Sequence, residues 1–278
     1  MPELPEVETV RRGLDAVMTG RRLGHVTVNR FDLRRRLPAD FAARLTGRTV
    51  TGVGRRGKYL LIHLEDGGVL LIHLGMSGRM VIDPPGAAPR QRGSHEHVVF
   101  EVGNGTIVRF SDPRRFGLMA LADGDALEVH PLLAHLGPEP VGEDFTGAVL
   151  AARLKGKRTP IKAAMLDQRV VAGLGNIYVC ESLFAAGLSP RRIAATVQGG
   201  RATRLADAVR RVLADAIAAG GATLRDHVSP TGEIGYFQHQ FKVYGRAGEP
   251  CPNADCDAAI RRIVQSGRST FHCSRCQR

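Results

Sequence analysis

The sequence has no tryptophan, and aromatic residues make up only 5% of it. A broad aromatic platform for stacking successive bases is therefore excluded. No run of about 18 apolar residues occurs, so no membrane-spanning helix is expected. The opening Met1-Pro2-Glu3 leads to acids at Glu6 and Glu8, not to the basic start and apolar core of a secretory signal. That reading points to a cytoplasmic protein. Acidic residues are few: 27 Asp and Glu face 39 Lys and Arg, a formal net charge of +12. Lysine is scarce, since only five of the 39 are lysine. A GC-rich genome explains arginine in place of lysine but not the net excess. The excess points to a polyanionic partner. Nucleic acid ranks ahead of a membrane surface, because no basic amphipathic helix with an aromatic face stands out.

What is present is ordinary for a globular chain: 278 residues, 43% hydrophobic and 24% charged. That length suggests two domains. Val7, Val10, Leu14 and Val17 recur at helical steps, which predicts a helix over 3–18. Between 24 and about 122, short Val/Ile/Leu-rich runs alternate with Gly-rich breaks. The predicted strands are His25–Arg30, Thr49–Val53, Lys58–Leu64, Val69–Leu74, His97–Val102, Thr106–Phe110 and Gly117–Ala122, a sandwich or barrel pattern. Pro84–Arg92 reads as a mobile loop. A Pro/Gly-rich linker over 132–147 follows, then helices over roughly 146–154, 160–169, 176–186 and 201–219. Asn176 is placed to cap the third, and Gly220-Gly221 to end the last. Residues 221–240 read as a loop.

Four of the five cysteines form Cys251-x4-Cys256-x16-Cys273-x2-Cys276. Two close pairs of thiolates, brought together by a β-hairpin, suit one closed structural zinc. Two disulfides are the alternative, disfavoured in a cytoplasmic chain. Cys180 stands alone and reads as a buried core thiol. At the N-terminus, removal of Met1 would expose the secondary amine of Pro2, whose α-amino pKa near 7.7–8.0 leaves it partly unprotonated. Such an amine can attack an anomeric carbon and form an iminium. Simple helix capping by Pro and acids is the bland alternative. Arg55-Arg56-Gly57-Lys58-Tyr59 is either an exposed basic turn or a functional one. Asp112-Pro113-Arg114-Arg115-Phe116-Gly117 offers two arginines and an aromatic, able to enter DNA as a wedge or to fold back as a surface turn. Lys155-Gly156-Lys157-Arg158-Thr159 is either a solvated approach to a helix or a phosphate contact.

Taken together, Pro2-Glu3-Leu4-Pro5-Glu6-Val7-Glu8, Arg56-Gly57-Lys58, His73-Leu74-Gly75-Met76-Ser77-Gly78, Asp112–Gly117, Leu136-Gly137-Pro138-Glu139-Pro140, Gly173-Leu174-Gly175-Asn176-Ile177-Tyr178 and the four-cysteine segment resemble the bacterial formamidopyrimidine-DNA glycosylase family, in the family's order and over the whole chain. The resemblance implies an α+β fold. An N-terminal antiparallel β-sandwich with a flanking helix (2–131) is followed by a hinge (132–147). A helix–two-turn–helix domain (148–240) then carries a lesion-capping loop over 221–240. A β-hairpin zinc finger (241–278) ends the chain, with DNA across the cleft. It also implies a bifunctional activity, removal of oxidised purines such as 8-oxoguanine opposite cytosine and formamidopyrimidines, then strand cleavage by β,δ-elimination. Pro2 resembles the nucleophile and Glu3 the acid/base group. Lys58 matches the residue tied to β-elimination and to a phosphate near the lesion, and Arg268 one tied to δ-elimination and a phosphate. Met76, Arg114 and Phe116 match the trio that fills the void left by the flipped base. His95, Arg158, Lys162 and Asn176 match contacts to the DNA backbone. Cys251, Cys256, Cys273 and Cys276 match the ligands of one structural Zn²⁺.

The implied partner is double-stranded DNA carrying oxidised purines or abasic sites, met by a monomeric, nucleoid-associated enzyme with no membrane role. Two departures stand out. The first cysteine pair is spaced by four residues where two is commoner, and Arg158 stands where lysine is more usual. An endonuclease VIII-like enzyme for oxidised pyrimidines is the near rival, against which Leu4, Arg114 and Phe116 speak. A non-enzymatic zinc-ribbon protein would need the finger but not Pro2, Glu3 and Lys58. A redox or metal-buffering protein would leave the first 240 residues without a use.

Overall fold

Pro5 and the acid-led first turn start helix α1 (Leu4–Met18), whose inner face buries Val7, Val10, Leu14 and Met18. These four are at most 1% exposed, and each buried side chain of this size is worth about 1.5–3 kcal/mol. The computed structural model describes residues 2–88, 91–222 and 236–278. Met1, most of the 221–240 loop, and Pro89 and Arg90 of the Pro84–Arg92 segment lie outside the described residues.

Contacts divide the chain into two compact units, Met1–Ala134 with Ala219–Tyr236, and His135–Ala218 with Phe237–Arg278. The sequence alone puts 221–240 with the second domain. The described start of that segment groups instead with the first, because Ala222 N–H donates to the Glu6 carboxylate on α1 at 2.9 Å. The hinge expected over 132–147 straddles the boundary between the units.

The first unit is a sandwich of two four-stranded antiparallel sheets. One has the order β1 (Leu23–Val28), β6 (Glu96–Val102), β7 (Ile107–Ser111), β5 (Arg79–Asp83). The other runs β2 (Val50–Arg56), β3 (Tyr59–Leu64), β4 (Gly68–His73), β8 (Leu118–Asp123). Leu60, Ile62, Leu70 and Ile72 of one sheet share a core with Val98, Phe100, Val108 and Phe110 of the other. Strand β5 and the short helix α2 (Phe41–Leu45) were not predicted from the sequence. Each holds only a few apolar residues between charged or polar ones, too short a stretch for periodicity to register.

The second unit holds α3 (Gly147–Leu154), α4 (Ile161–Leu166), α5 (Asn176–Ala185), α6 (Gly200–Ala218) and the hairpin β9 (Ile260–Gln265)–β10 (Arg268–Cys273). Helix α4 stops at Leu166 rather than 169, and Gln168 braces the double turn to α5. Its side-chain amide donates to the Leu174 carbonyl at 2.9 Å, and its oxygen accepts from Gly173 N–H at 2.9 Å. Asn176 does not cap α5. Gly175 occupies the cap and Asn176 is the first helical residue, which frees its side chain for other partners. Buried Glu181 of α5 accepts from the N–H groups of Lys242, Val243 and Tyr244 at 2.8–3.0 Å, fixing the chain that enters the finger. Burial raises its carboxyl pKa, and the three donors offset part of that rise.

Candidate active site and nucleic-acid interface

Pro2 is buried directly before α1, and Glu3, 3% exposed, is the helix cap. Glu3 N–H donates to Glu6 Oε2 at 2.8 Å while Glu6 Oε1 takes the Ala222 N–H. One carboxylate thus pins both the start of α1 and the described start of the 221–240 loop.

Lys58 occupies the second position of a two-residue turn between β2 and β3, where Arg56 pairs with Tyr59. Gly57 alone takes positive φ, +57°, the type II′ pattern that wants Gly first. Arg55 ties this turn to α1. Its Nε pairs with Glu8 at 3.2 Å and an η-nitrogen donates to the Gly57 carbonyl at 2.9 Å. Glu8 lies about 8 Å along the helix from Glu3. Burial alone would raise the Glu8 pKa, but Arg11, Arg12 and Arg55 hold it below the usual carboxylate value. The Arg55 run is therefore an internal brace that holds the Lys58 turn to the helix carrying Pro2 and Glu3. Lys58 itself is 7% exposed.

His73, paired across the sheet from Tyr59, lies within electrostatic reach of Lys58. Burial, then the charges of Lys58 and Arg34, push its pKa down to about 4. The neutral ring accepts from Gly75 N–H through Nδ1 at 2.9 Å. Gly75 has φ of +64°, and a Cβ there would meet the Phe116 carbonyl carbon at 2.4 Å. The Met76 turn and the Arg114–Phe116 turn are therefore in backbone contact. A buried polar bridge locks them. Ser77 Oγ donates to Asp112 Oδ1 at 2.5 Å, and Arg114 N–H donates back to Ser77 Oγ at 3.2 Å. Asp112 Oδ2 takes the Gly117 N–H at 2.7 Å.

On that base Met76 and Phe116 are exposed by 37% and 44%, with the Arg114 guanidinium 4.8 Å from the Phe116 ring centroid. Exposed apolar side chains on so rigid a support are not tucked back into a core. Ser77, Asp112 and His73 fall inside segments that the sequence singles out, but the sequence assigns none of them a role. A buried carboxylate bridging two turns leaves no periodic trace in one sequence. His95 is exposed at the foot of β6, and its carbonyl accepts from Asp112 N–H.

In the second unit, Lys162 and Asn176 meet at the finger. Lys162 is 1% exposed, and its Nζ donates to the Ser269 carbonyl at 3.0 Å and to Thr270 Oγ1 at 2.7 Å. Asn176 Nδ2 donates to the same carbonyl at 2.9 Å, while its Oδ1 is buried without a partner among the described residues. Both side chains therefore grip the backbone just beyond Arg268. Arg268 and Arg158 are exposed. Arg268 follows a tight turn in which Ser266 and Gly267 both take positive φ, the type I′ pattern.

The four finger thiols lie within 4.8 Å of one another, with Cys251–Cys276 at 3.7 Å and Cys256–Cys273 at 3.6 Å. A disulfide needs about 2.05 Å. Tetrahedral Zn–S bonds of about 2.3 Å place sulfurs about 3.8 Å apart. The cluster fits zinc, and the lengthened first pair does not spoil it. Cys180 joins Phe184, Val243, Ile260 and Phe271 in the apolar cluster behind the site.

Three domain families match the chain in sequence. They are the formamidopyrimidine-DNA glycosylase N-terminal domain over 1–119, the formamidopyrimidine-DNA glycosylase H2TH domain over 136–228, and the zinc finger found in FPG and IleRS over 248–278. Formamidopyrimidine-DNA glycosylases from Rhodospirillum centenum and Rhodospirillum rubrum are 59% and 57% identical, each aligned over 100% of both chains. Among solved structures, the MutM (FPG) protein of Thermus thermophilus is 42% identical, with a TM-score of 0.85 over 99% of this chain and 98% of that one. A Lactococcus lactis FPG mutant in complex with Fapy-dG-containing DNA is 34% identical, with a TM-score of 0.89 over 100% of both chains. Wild-type Lactococcus lactis FPG, also 34% identical and covered 100% on both sides with a TM-score of 0.87, is solved with an oxidised-pyrimidine DNA.

Proposed function

The chain belongs to the formamidopyrimidine-DNA glycosylase family, and from that premise we propose that it removes oxidised purines from duplex DNA through the nitrogen of Pro2 and then cleaves the strand. The observation that carries the reading is the braced N-terminus. Pro2 and Glu3 open a helix that Arg55 ties to the Lys58 turn. With Met1 removed, the Pro2 nitrogen forms a bond to C1′ of the damaged nucleotide as the bond from C1′ to the base breaks. Glu3 moves protons at the sugar ring, helping it open to the iminium. Loss of a C2′ proton then expels the 3′ phosphate, the step for which Lys58 is the candidate. Arg268 clamps a phosphate during the second elimination, because a guanidinium keeps its protons. The enzyme is thus both a glycosidase and a lyase, acts as a monomer, and works with the nucleoid.

The base must leave the stack before C1′ can be reached, at a cost of a few kcal/mol. Met76 and Phe116, exposed on a locked pair of turns, are suited to fill the gap. Arg114 can donate to the pairing edge of the orphaned cytosine. His95, Arg158, Lys162 and Asn176 serve the DNA backbone in this reading, the two buried ones by shaping the segment next to Arg268. Zinc bound by Cys251, Cys256, Cys273 and Cys276 supplies no chemistry to the reaction. It holds the hairpin in shape.

Borohydride trapping tests the reading on duplexes carrying 8-oxoguanine opposite cytosine or thymine glycol. The Met-processed chain should trap strongly on the first. A relative solved with an oxidised-pyrimidine DNA makes the second arm necessary. The same chain with one residue retained before Pro2 carries an amide there, whose lone pair is delocalised. It should bind the duplex and fail to trap. Glu3→Gln should bind normally and release the base more slowly. Native-rate trapping by the blocked chain would remove Pro2 from the mechanism and make Lys58 the next candidate.

A further inference from the structure

The finger hairpin carries a second basic feature away from its tip. His272 stands opposite Arg261 and Thr270 opposite Ile263, so these four side chains share one face of the hairpin. Beside that face lies a cavity of about 390 Å³ lined by Ser189, Arg191, Arg261, Arg262, Ile263, His272 and Ser274. Its volume falls at the lower end of the range for small-ligand sites. Gln277 completes the wall and is already fully engaged. It donates to the Leu188 carbonyl at 2.9 Å and accepts from Cys273 N–H at 2.8 Å.

Two observations point to a ligand. His272 is 6% exposed, and its Nδ1 is buried with no partner among the described residues. Native proteins seldom leave such an atom unpaired, because it has given up its water for nothing. The rim is also charged with one sign. Arg191 and Arg261 are exposed and close enough to act electrostatically on the His272 ring. Nearby cations are otherwise engaged. Arg262 Nε donates to Ser269 Oγ at 3.0 Å, Arg275 pairs with Asp257, and Arg192 Nε donates to the Arg278 carbonyl at 3.3 Å. The pocket therefore offers the guanidinium forks of Arg191 and Arg261 and two serine hydroxyls, with the His272 ring in its wall. A ligand with three or more acceptor oxygens and negative charge matches that set better than a carboxylate with two.

We propose that this pocket binds a phosphate group at a site separate from Arg268. His272 lies four residues along β10 from Arg268, about 14 Å at strand spacing. The phosphate can come from a DNA strand or from a free phosphate compound, and the two sources are separable.

The experiment uses the full zinc-loaded chain with ¹⁵N-labelled histidine, and inorganic phosphate as the probe. The His272 ring resonances should shift saturably in the millimolar range. Arg191→Gln and Arg261→Gln, both at exposed positions, should each weaken that response about tenfold while zinc content and melting temperature stay unchanged. A second arm measures binding of a long lesion-free duplex against salt. A slope that falls by about 0.9 in each variant assigns the site to a DNA phosphate. An unchanged slope, with the phosphate response still lost in the variants, assigns it to a free phosphate ligand. No saturable shift at His272, or a shift that both variants retain in full, overturns the proposal.

Discussion

The His73 imidazole is neutral in the folded protein because burial removes it from water and Lys58 and Arg34 add positive charge around it. Its pKa falls from 6.5 to about 4, so the unfolded chain takes up a proton first as pH drops. The native state is then stabilised above pH 6.5, and that contribution is lost as pH falls toward 4. His73→Asn keeps an acceptor near the Nδ1 position for Gly75 N–H but cannot titrate. Urea unfolding at pH 7.5 and 5 should show the wild type losing roughly 1–2 kcal/mol more than the variant. Equal losses would mean that the ring is not held in this neutral state. The residue scale is also where the sequence said least. The four cysteines declare a metal site by type and spacing, whereas Pro2 and Glu3 alone read as helix capping and gain a candidate role only through the family resemblance. Lys162 declares nothing: as a lone cation it reads as a surface contact, yet it is buried against Ser269 and Thr270. Nothing in its neighbours along the chain announces a partner more than 100 residues away.

Elements were more legible than side chains, and the reason is physical. The stripe of α1 and the Val/Ile/Leu runs of β3, β4 and β6 repeat often enough for one buried face to show. Strand β5 has five residues and α2 has five, too few for a period. The finger is the opposite case, since its four ligands define it without any apolar pattern. Its hairpin shares an apolar cluster with α5 through Cys180, Phe184 and Phe271, so loss of the metal should be felt locally. The sandwich core is built from the first unit alone. Chelation, or Cys273→Ser, should release about one zinc per chain and weaken DNA binding. The sandwich should stay folded, read by protease protection of the first unit. Structural zinc sites of this kind contribute about 10–16 kcal/mol to local folding. Folded, active protein with no zinc by elemental analysis would refute this assignment.

At the scale of the whole molecule, the +12 charge was fully legible, but which cations meet DNA was not. Several arginines are engaged by carboxylates. Arg11 and Arg55 serve Glu8 and Arg109 serves Asp83 and Glu96, while Arg169, exposed at the surface, forks onto Asp167. Such pairs contribute nothing to counterion release, because no phosphate replaces them. Exposed Arg158 and Arg268 sit on the second unit and Lys58 on the first, so the candidate contacts come from both units. Each true phosphate contact adds about 0.9 to the magnitude of the log K versus log salt slope. Lys58→Ala, Arg158→Ala and Arg268→Ala should each lower the slope by that amount, and the triple variant by about 2.7 if the sites act independently. Arg169→Ala is the internal control. It removes the same charge from the molecule as Arg268→Ala but should leave the slope unchanged. Arg114→Ala should act differently again, relaxing discrimination of the base opposite the lesion with little change in slope, because its proposed partner is a base edge. If Arg169→Ala lowers the slope as much as the other three, binding follows net charge alone, and the assignment of individual phosphate contacts fails.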